Sequence, residues 1–195
     1  MKQAKNSLKN VKVDELERTH NKCLAWFYAY PRTNIGLTSL SKYIKSSKTA
    51  TKQVVESLVK IQVLNRNIIG KAWLLSANQK NSYFIAKKIT YNLNIVYESG
   101  ILDAVYKAVL SPRAIILFGS YRWGTDTEES DIDIAVEVIN NDSIKIIRLG
   151  IIEQLGYKKN IPVNLHVFSR NKIDLNLFSN IANGIVLDGF LEVRI

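Results

Sequence analysis

The sequence predicts a mixed α+β protein in two modules: a helical N-terminal half closed by a β-hairpin, then a small C-terminal α/β unit around a mixed sheet. Three observations lead there. Charge is split along the chain: residues 1–88 hold 17 Lys and Arg against 4 Asp and Glu, and residues 89–195 hold 10 against 13. A half at +13 joined to a half at −3 marks two units and suggests a polyanionic partner for the first. The N-terminal half shows helical periodicity and then hairpin signals. The C-terminal half carries two apolar runs, one ending in Gly119-Ser120 and one containing Asp131-Ile132-Asp133.

The basic half is read first. Leu16, Leu24, Trp26, Phe27 and Tyr30 recur at spacings that fit a helix stopped at Pro31. Leu37, Leu40 and Ile44 form one stripe of a short second helix. Ser46-Ser47-Lys48-Thr49 makes a turn and offers hydroxyl caps to a third helix over about Thr49–Ile61. Ala50, Val54, Leu58 and Ile61 form its expected buried stripe, with Lys48, Thr51, Lys52 and Gln53 exposed near its start. Val63–Ile68 and Lys71–Leu75, with Gly70 between, read as a hairpin. Three helices followed by a two-stranded wing resemble a winged helix-turn-helix over residues 1–78. That fold sets the start of its recognition helix in the major groove. The resemblance therefore implies DNA contacts from Lys48, Thr49, Thr51, Lys52 and Gln53, with Arg66 and Lys71 on the wing meeting phosphates, and a homodimer suited to palindromic sites.

Residues 79–111 read as a helical connector. Tyr83, Phe84, Ile89, Leu93, Val96, Ile101, Val105 and Val109 supply its apolar positions, Ser99-Gly100 breaks the run, and Pro112 ends it. The third unit, residues 112–195, holds the chemistry. Ile115–Phe118 is a buried strand ending in Gly119-Ser120; ten residues later Asp131-Ile132-Asp133-Ile134-Ala135-Val136 is a second strand. Alternation puts Asp131 and Asp133 on one face. Two like charges on one face are costly unless a cation lies between them. Oxygen ligands of that kind suit magnesium, which binds through one or two carboxylates and substrate phosphates. Gly119 admits close backbone approach to a phosphate, and Ser120 can donate its hydroxyl and N–H.

Gly-Ser, ten residues and Asp-x-Asp between two apolar strands resembles the signature of the nucleotidyltransferase superfamily that includes DNA polymerase beta, in its minimal form. The resemblance implies a nucleoside triphosphate as substrate or ligand. Gly119 and Ser120 would hold its phosphates, and Asp131 and Asp133 would ligate Mg²⁺ or Mn²⁺ as the catalytic acids. It implies transfer of a nucleoside monophosphate to a hydroxyl on protein or RNA. Arg122 is the loop residue expected to face phosphate, and Gly124 ends the turn. Tyr121 and Trp123 could stack on a base or cover the core.

Members carry a third acid on a later strand. Here that strand, Ile161–Phe168, offers Asn164, with His166 beside it. An amide can lend a neutral oxygen to a metal but cannot neutralise it or take a proton. Three outcomes stay open: nucleotide binding without turnover, recruitment of His166 or of Asp126, Glu128 or Glu129, or slow work with two acids. The alternative function is a DNA-binding transcription regulator whose degenerate domain only binds nucleotide. The family's habit of pairing with a small toxin-like protein leaves such a partner open. An expected crossover helix over Asp142–Leu155 would place Lys145 and Arg148 one turn apart. A helix near Asp174–Asn183 and closing strands at Ile185–Leu187 and Phe190–Val193 complete the plan.

Composition narrows the remaining classes. The single cysteine, Cys23, excludes intramolecular disulfides and Cys-rich zinc sites. No apolar run reaches the roughly 18 residues of a membrane span. The basic start lacks a signal peptide's apolar stretch, so a cytoplasmic protein is expected.

Overall fold

The computed structural model describes residues 8–10, 18–139 and 144–193. Among these it is a mixed α/β molecule with two sheets. The basic half runs α1 (Thr19–Ala29), β1 (Ile35–Gly36), α2 (Leu37–Tyr43), α3 (Lys48–Lys60), β2 (Leu64–Ile69) and β3 (Ala72–Ala77). Its sheet has the order β1-β3-β2, all antiparallel. Helix α1 ends at Ala29, ahead of Pro31, and Leu16 lies outside the described residues. Ser47 caps α3 by accepting from the Ala50 N–H at 3.1 Å, while the Ser46 hydroxyl meets that of Thr19. Cys23, Phe27, Leu40, Ile44, Val55, Leu58, Leu64 and Leu75 close this core.

The buried stripe of α3 differs from the expected one. Thr51, Val55 and Leu58 point inward, Ala50 and Val54 are half-buried, and Ile61 is exposed. The face is rotated because Thr51 can turn its hydroxyl onto the Ser47 carbonyl at 2.9 Å, which hides its polar atom within the helix. Thr51, expected to be exposed near the start of α3, is therefore buried instead.

Helix α4 (Ser82–Glu98), capped by Asn81, joins both halves: Phe84 packs in the first core, Ile95 and Val96 in the second. Gly100, at φ +75°, separates it from α5 (Ile101–Ala108). Then come β4 (Ala114–Phe118), α6 (Gly119–Trp123), β5 (Ile132–Glu137), β6 (Lys145–Leu155), β7 (Lys158–Phe168), α7 (Leu175–Ala182) and β8 (Ile185–Gly189). The sheet order is β6-β7-β5-β4-β8. Only β5 and β7 run parallel, so the sheet is mixed as expected.

Two expectations are corrected. The segment expected as a crossover helix is strand β6, its first two residues (142–143) lying outside the described set. Four isoleucines favour a pleated surface, and Gly150 in mid-run disfavours a helix. Gly156-Tyr157 then makes a tight turn, with Gly156 at φ +60°, and β6 returns along β7. Phe190–Val193 forms no strand.

Alternation sorts the two faces of this sheet. Ile132, Ile134, Val136, Val163, Leu165 and Val167 face α4 and α5 in the larger core. The other face buries Ala114, Ile116, Phe118, Ala135 and Phe168 around Ile181 of α7. Asp131, Asp133, Asn164 and His166 fall on this second face by register. No helix among the described residues is long and apolar enough to cross a membrane.

The halves touch directly. The Tyr30 hydroxyl donates to the Tyr157 carbonyl at 2.8 Å, Thr33 donates to Glu128 at 3.0 Å, and the rings of Tyr28 and Tyr91 pack together. Residues 8–10 lie along the C-terminal half: Lys9 N–H donates to Ser99 O, and Asn10 accepts from Gln154 N–H.

Candidate functional site

Strand β4 delivers its chain end to the middle of the sheet, where Phe118 pairs with Asp133. Gly119 then turns at φ +70°, a conformation glycine adopts freely. A Cβ built there would lie 3.0 Å from Asp133 Oδ2, so the bare backbone of the Gly-Ser turn sits against a carboxylate. Ser120 follows in α6, half-buried. Gly124 closes that short helix at φ +67°, and the Thr125 N–H returns to Ser120 O.

The acids occupy one end of β5. Their side chains are about one-third exposed, Asp131 at 34% and Asp133 at 29%. Parallel pairing sets Asn164 beside Asp133 and His166 beside Ala135. The Asn164 amide nitrogen donates to Asp131 Oδ2 at 3.0 Å and to Asp133 Oδ1 at 3.3 Å. His166 Nε2 lies 3.3 Å from Asp133 Oδ1, its ring set edge-on to Phe118. Its Nδ1 is buried and has no hydrogen-bond partner among the described residues. From β6, Arg148 pairs across the strands with Asn164, and its Nη2 stands 3.9 Å from Asp131 Oδ2. The structure thus gathers Gly119, Asp131, Asp133, Asn164 and His166, with Ser120 next in the chain.

Arg122 is engaged elsewhere: its guanidinium stacks on Trp123 and its Nε donates to Asn183 O. The loop acids also separate. Glu129 is exposed, and Glu128 accepts from Thr33. Asp126 is corrected as a substitute acid, because it is buried in a structural node. There it meets Lys158 at 2.7 Å, Lys88 at 3.2 Å and Asn92 at 2.7 Å. Asn92 also donates to Tyr121 O, and Lys158 to Thr127 O and the Tyr121 hydroxyl. Burial lowers the Lys88 pKa from its usual 10.5 to about 8, with Asp126 opposing the shift. Burial also pushes the Tyr121 hydroxyl well above its ordinary value. This node ties α4 to the loop that carries Ser120 at one end and Asp131 at the other. In the sequence its only trace is Lys88 and Asn92 one helical turn apart; nothing there points to Lys158.

A resident metal can be tested against the donors. Among the described residues no three His, Cys, Asp or Glu side chains are arranged to hold one. Two carboxylates with an open, Gly-lined approach fit a single hard cation whose shell is completed by phosphate oxygens and water. They do not make a closed protein cage.

In the basic half, Lys48, Thr49, Lys52, Gln53 and Lys71 are exposed and Arg66 is half-buried. A groove of about 620 Å³ runs between the start of α2, the start of α3 and the β2–β3 turn, lined in part by Lys48, Lys52, Lys71 and Trp73. Lys52 and Arg66 both stack on the Trp73 ring, at 5.4 and 4.5 Å.

Residues 99–187 match the family model described as nucleotidyltransferase domain. The match spans α5 to β8, includes every residue gathered at the acidic site, and supports the nucleotidyltransferase superfamily for this half. No curated protein matches the chain.

Proposed function

We propose that the C-terminal half transfers a nucleoside monophosphate from a nucleoside triphosphate to a hydroxyl of a protein or RNA, and that the basic half is a DNA-binding winged helix. One observation carries the first part: the Gly119 turn lies against Asp133 of the Asp131/Asp133 pair, so phosphate binding and cation binding meet at one place. In the reaction the acceptor oxygen bonds to the α-phosphorus. The bond from that phosphorus to the oxygen bridging to the β-phosphate breaks, and pyrophosphate leaves with the electron pair. Bound between Asp131 and Asp133, magnesium or manganese would neutralise charge building on the phosphate oxygens. Gly119 and Ser120 supply N–H donors to the phosphates. Asn164 cannot take the acceptor's proton, which leaves the Asp131 and Asp133 carboxylates, with His166 beside Asp133, as the side-chain bases of this face.

The test is incubation of the full chain and host lysate with NTPs labelled at the α-phosphate. Label should appear on protein or RNA with wild type and disappear with Asp131→Ala or Asp133→Ala. Label retained by both variants would refute the assignment.

A second reading has an observation of its own. Asn164, in place of a third acid, stands against both aspartates, and an amide there can neither neutralise a metal nor take a proton. In that case the chain is a DNA-binding regulator. No label would transfer, nucleotide would still bind, and Asn164→Asp would awaken transfer. For the basic half, the order of three helices and a hairpin supports the winged-helix reading, as does the Lys48, Lys52 and Lys71 groove beside α3.

A further inference from the structure

The acidic face holds two features that the triphosphate reading does not use. The Asn164 amide lies within hydrogen-bond reach of both aspartates, and to a cation they share it can offer only a neutral oxygen. Arg148 stands directly across β6–β7 from Asn164, with Nη2 3.9 Å from Asp131 Oδ2. A register shift between Arg148 and Gly150 interrupts β6 at this point. Bulges of this kind recur beside active sites because they re-aim a neighbouring side chain.

Charge decides what such a face can hold. Two carboxylates balance one divalent ion. A second ion would find only a neutral amide and a guanidinium nearby. The Arg148 side chain is 56% exposed, and an exposed pair near 4 Å adds little to stability. Its fork is thus available to a better partner, and phosphate accepts a guanidinium bidentately.

We infer that this face is built for one divalent cation and one guanidinium, Arg148 supplying to the nucleotide phosphates the positive charge that a second metal would otherwise bring. The inference rests on the reading of this face as a nucleotide site. It makes Asn164 a determinant of metal stoichiometry and Arg148 a nucleotide-binding residue.

The experiment counts ions without requiring turnover. Full-length protein is dialysed to equilibrium with Mn²⁺ and saturating α,β-methylene NTP, each of the four bases in turn. Bound Mn²⁺ and analogue are then measured. Wild type should hold one Mn²⁺ per nucleotide-loaded chain, and Asn164→Asp should hold two. Arg148→Ala should keep the single Mn²⁺ but bind the analogue about tenfold more weakly, and Arg148→Lys should recover part of the loss. Two Mn²⁺ in wild type, or unchanged analogue affinity in Arg148→Ala, would overturn this inference and leave the nucleotide site standing. Absence of both ion and analogue from folded wild type would overturn the nucleotide reading as well.

Discussion

At the residue scale, Gly119 carries two constraints at once: a left-handed backbone and contact with Asp133. Gly119→Ala should cost about 1 kcal/mol of stability from the positive φ alone. Its added methyl would also push on the carboxylate, so nucleotide affinity should fall further than stability does, as melting curves and binding titrations would show. Cys23 gives an independent check on the core. Burial pushes its thiol up to about 12, so the native chain should resist thiol reagents at pH 8 and react only on unfolding. Residue identities of the acidic site were legible because strand alternation groups Asp131 with Asp133 and Asn164 with His166, and the family resemblance pointed to the second of these strands. Thr51 was misplaced because a threonine that bonds its own helix can be buried, which composition does not reveal.

At the scale of elements, the buried node fastens α4 and β7 to the segment that runs from α6 to β5. Two lysines and one aspartate are buried together there, so Asp126→Ala would leave two ammonium groups without their counter-charge. Denaturant unfolding should show a loss of about 3–5 kcal/mol. The pH dependence of Lys88 has a definite sign. Its folded pKa, about 8, lies below the ordinary 10.5, so between those values the unfolded chain binds more protons. The stability difference between wild type and Lys88→Met should therefore move in wild type's favour from pH 8 to pH 10.5; a flat difference would contradict the buried ammonium. Strand β6 was the element least legible in sequence. Its isoleucines also fit one helical stripe, and it is the pairing with β7 that brings Arg148 to the acids. The capping signal at Ser47 and the hairpin signal at Gly70 were local, and so were readable.

At the scale of the whole molecule, a basic half and an acidic half are joined by α4, which contributes to both cores, and by the Tyr30–Tyr157 and Thr33–Glu128 bonds. The charge split forecast two units; it could not forecast that residues 8–10 would lie along the second one. If the basic groove meets a nucleic-acid backbone, affinity should fall log-linearly with salt. Lys48→Ala and Lys52→Ala should each reduce that slope by about 1. Unchanged slopes would place the contacts elsewhere. The central claim concerns the acidic face, and equilibrium binding of labelled NTPs to the full chain, with and without Mg²⁺, tests it most directly. Saturable binding that requires Mg²⁺ and is lost in Asp133→Ala is the predicted result. Binding that ignores Mg²⁺, or that survives Asp133→Ala intact, would contradict it.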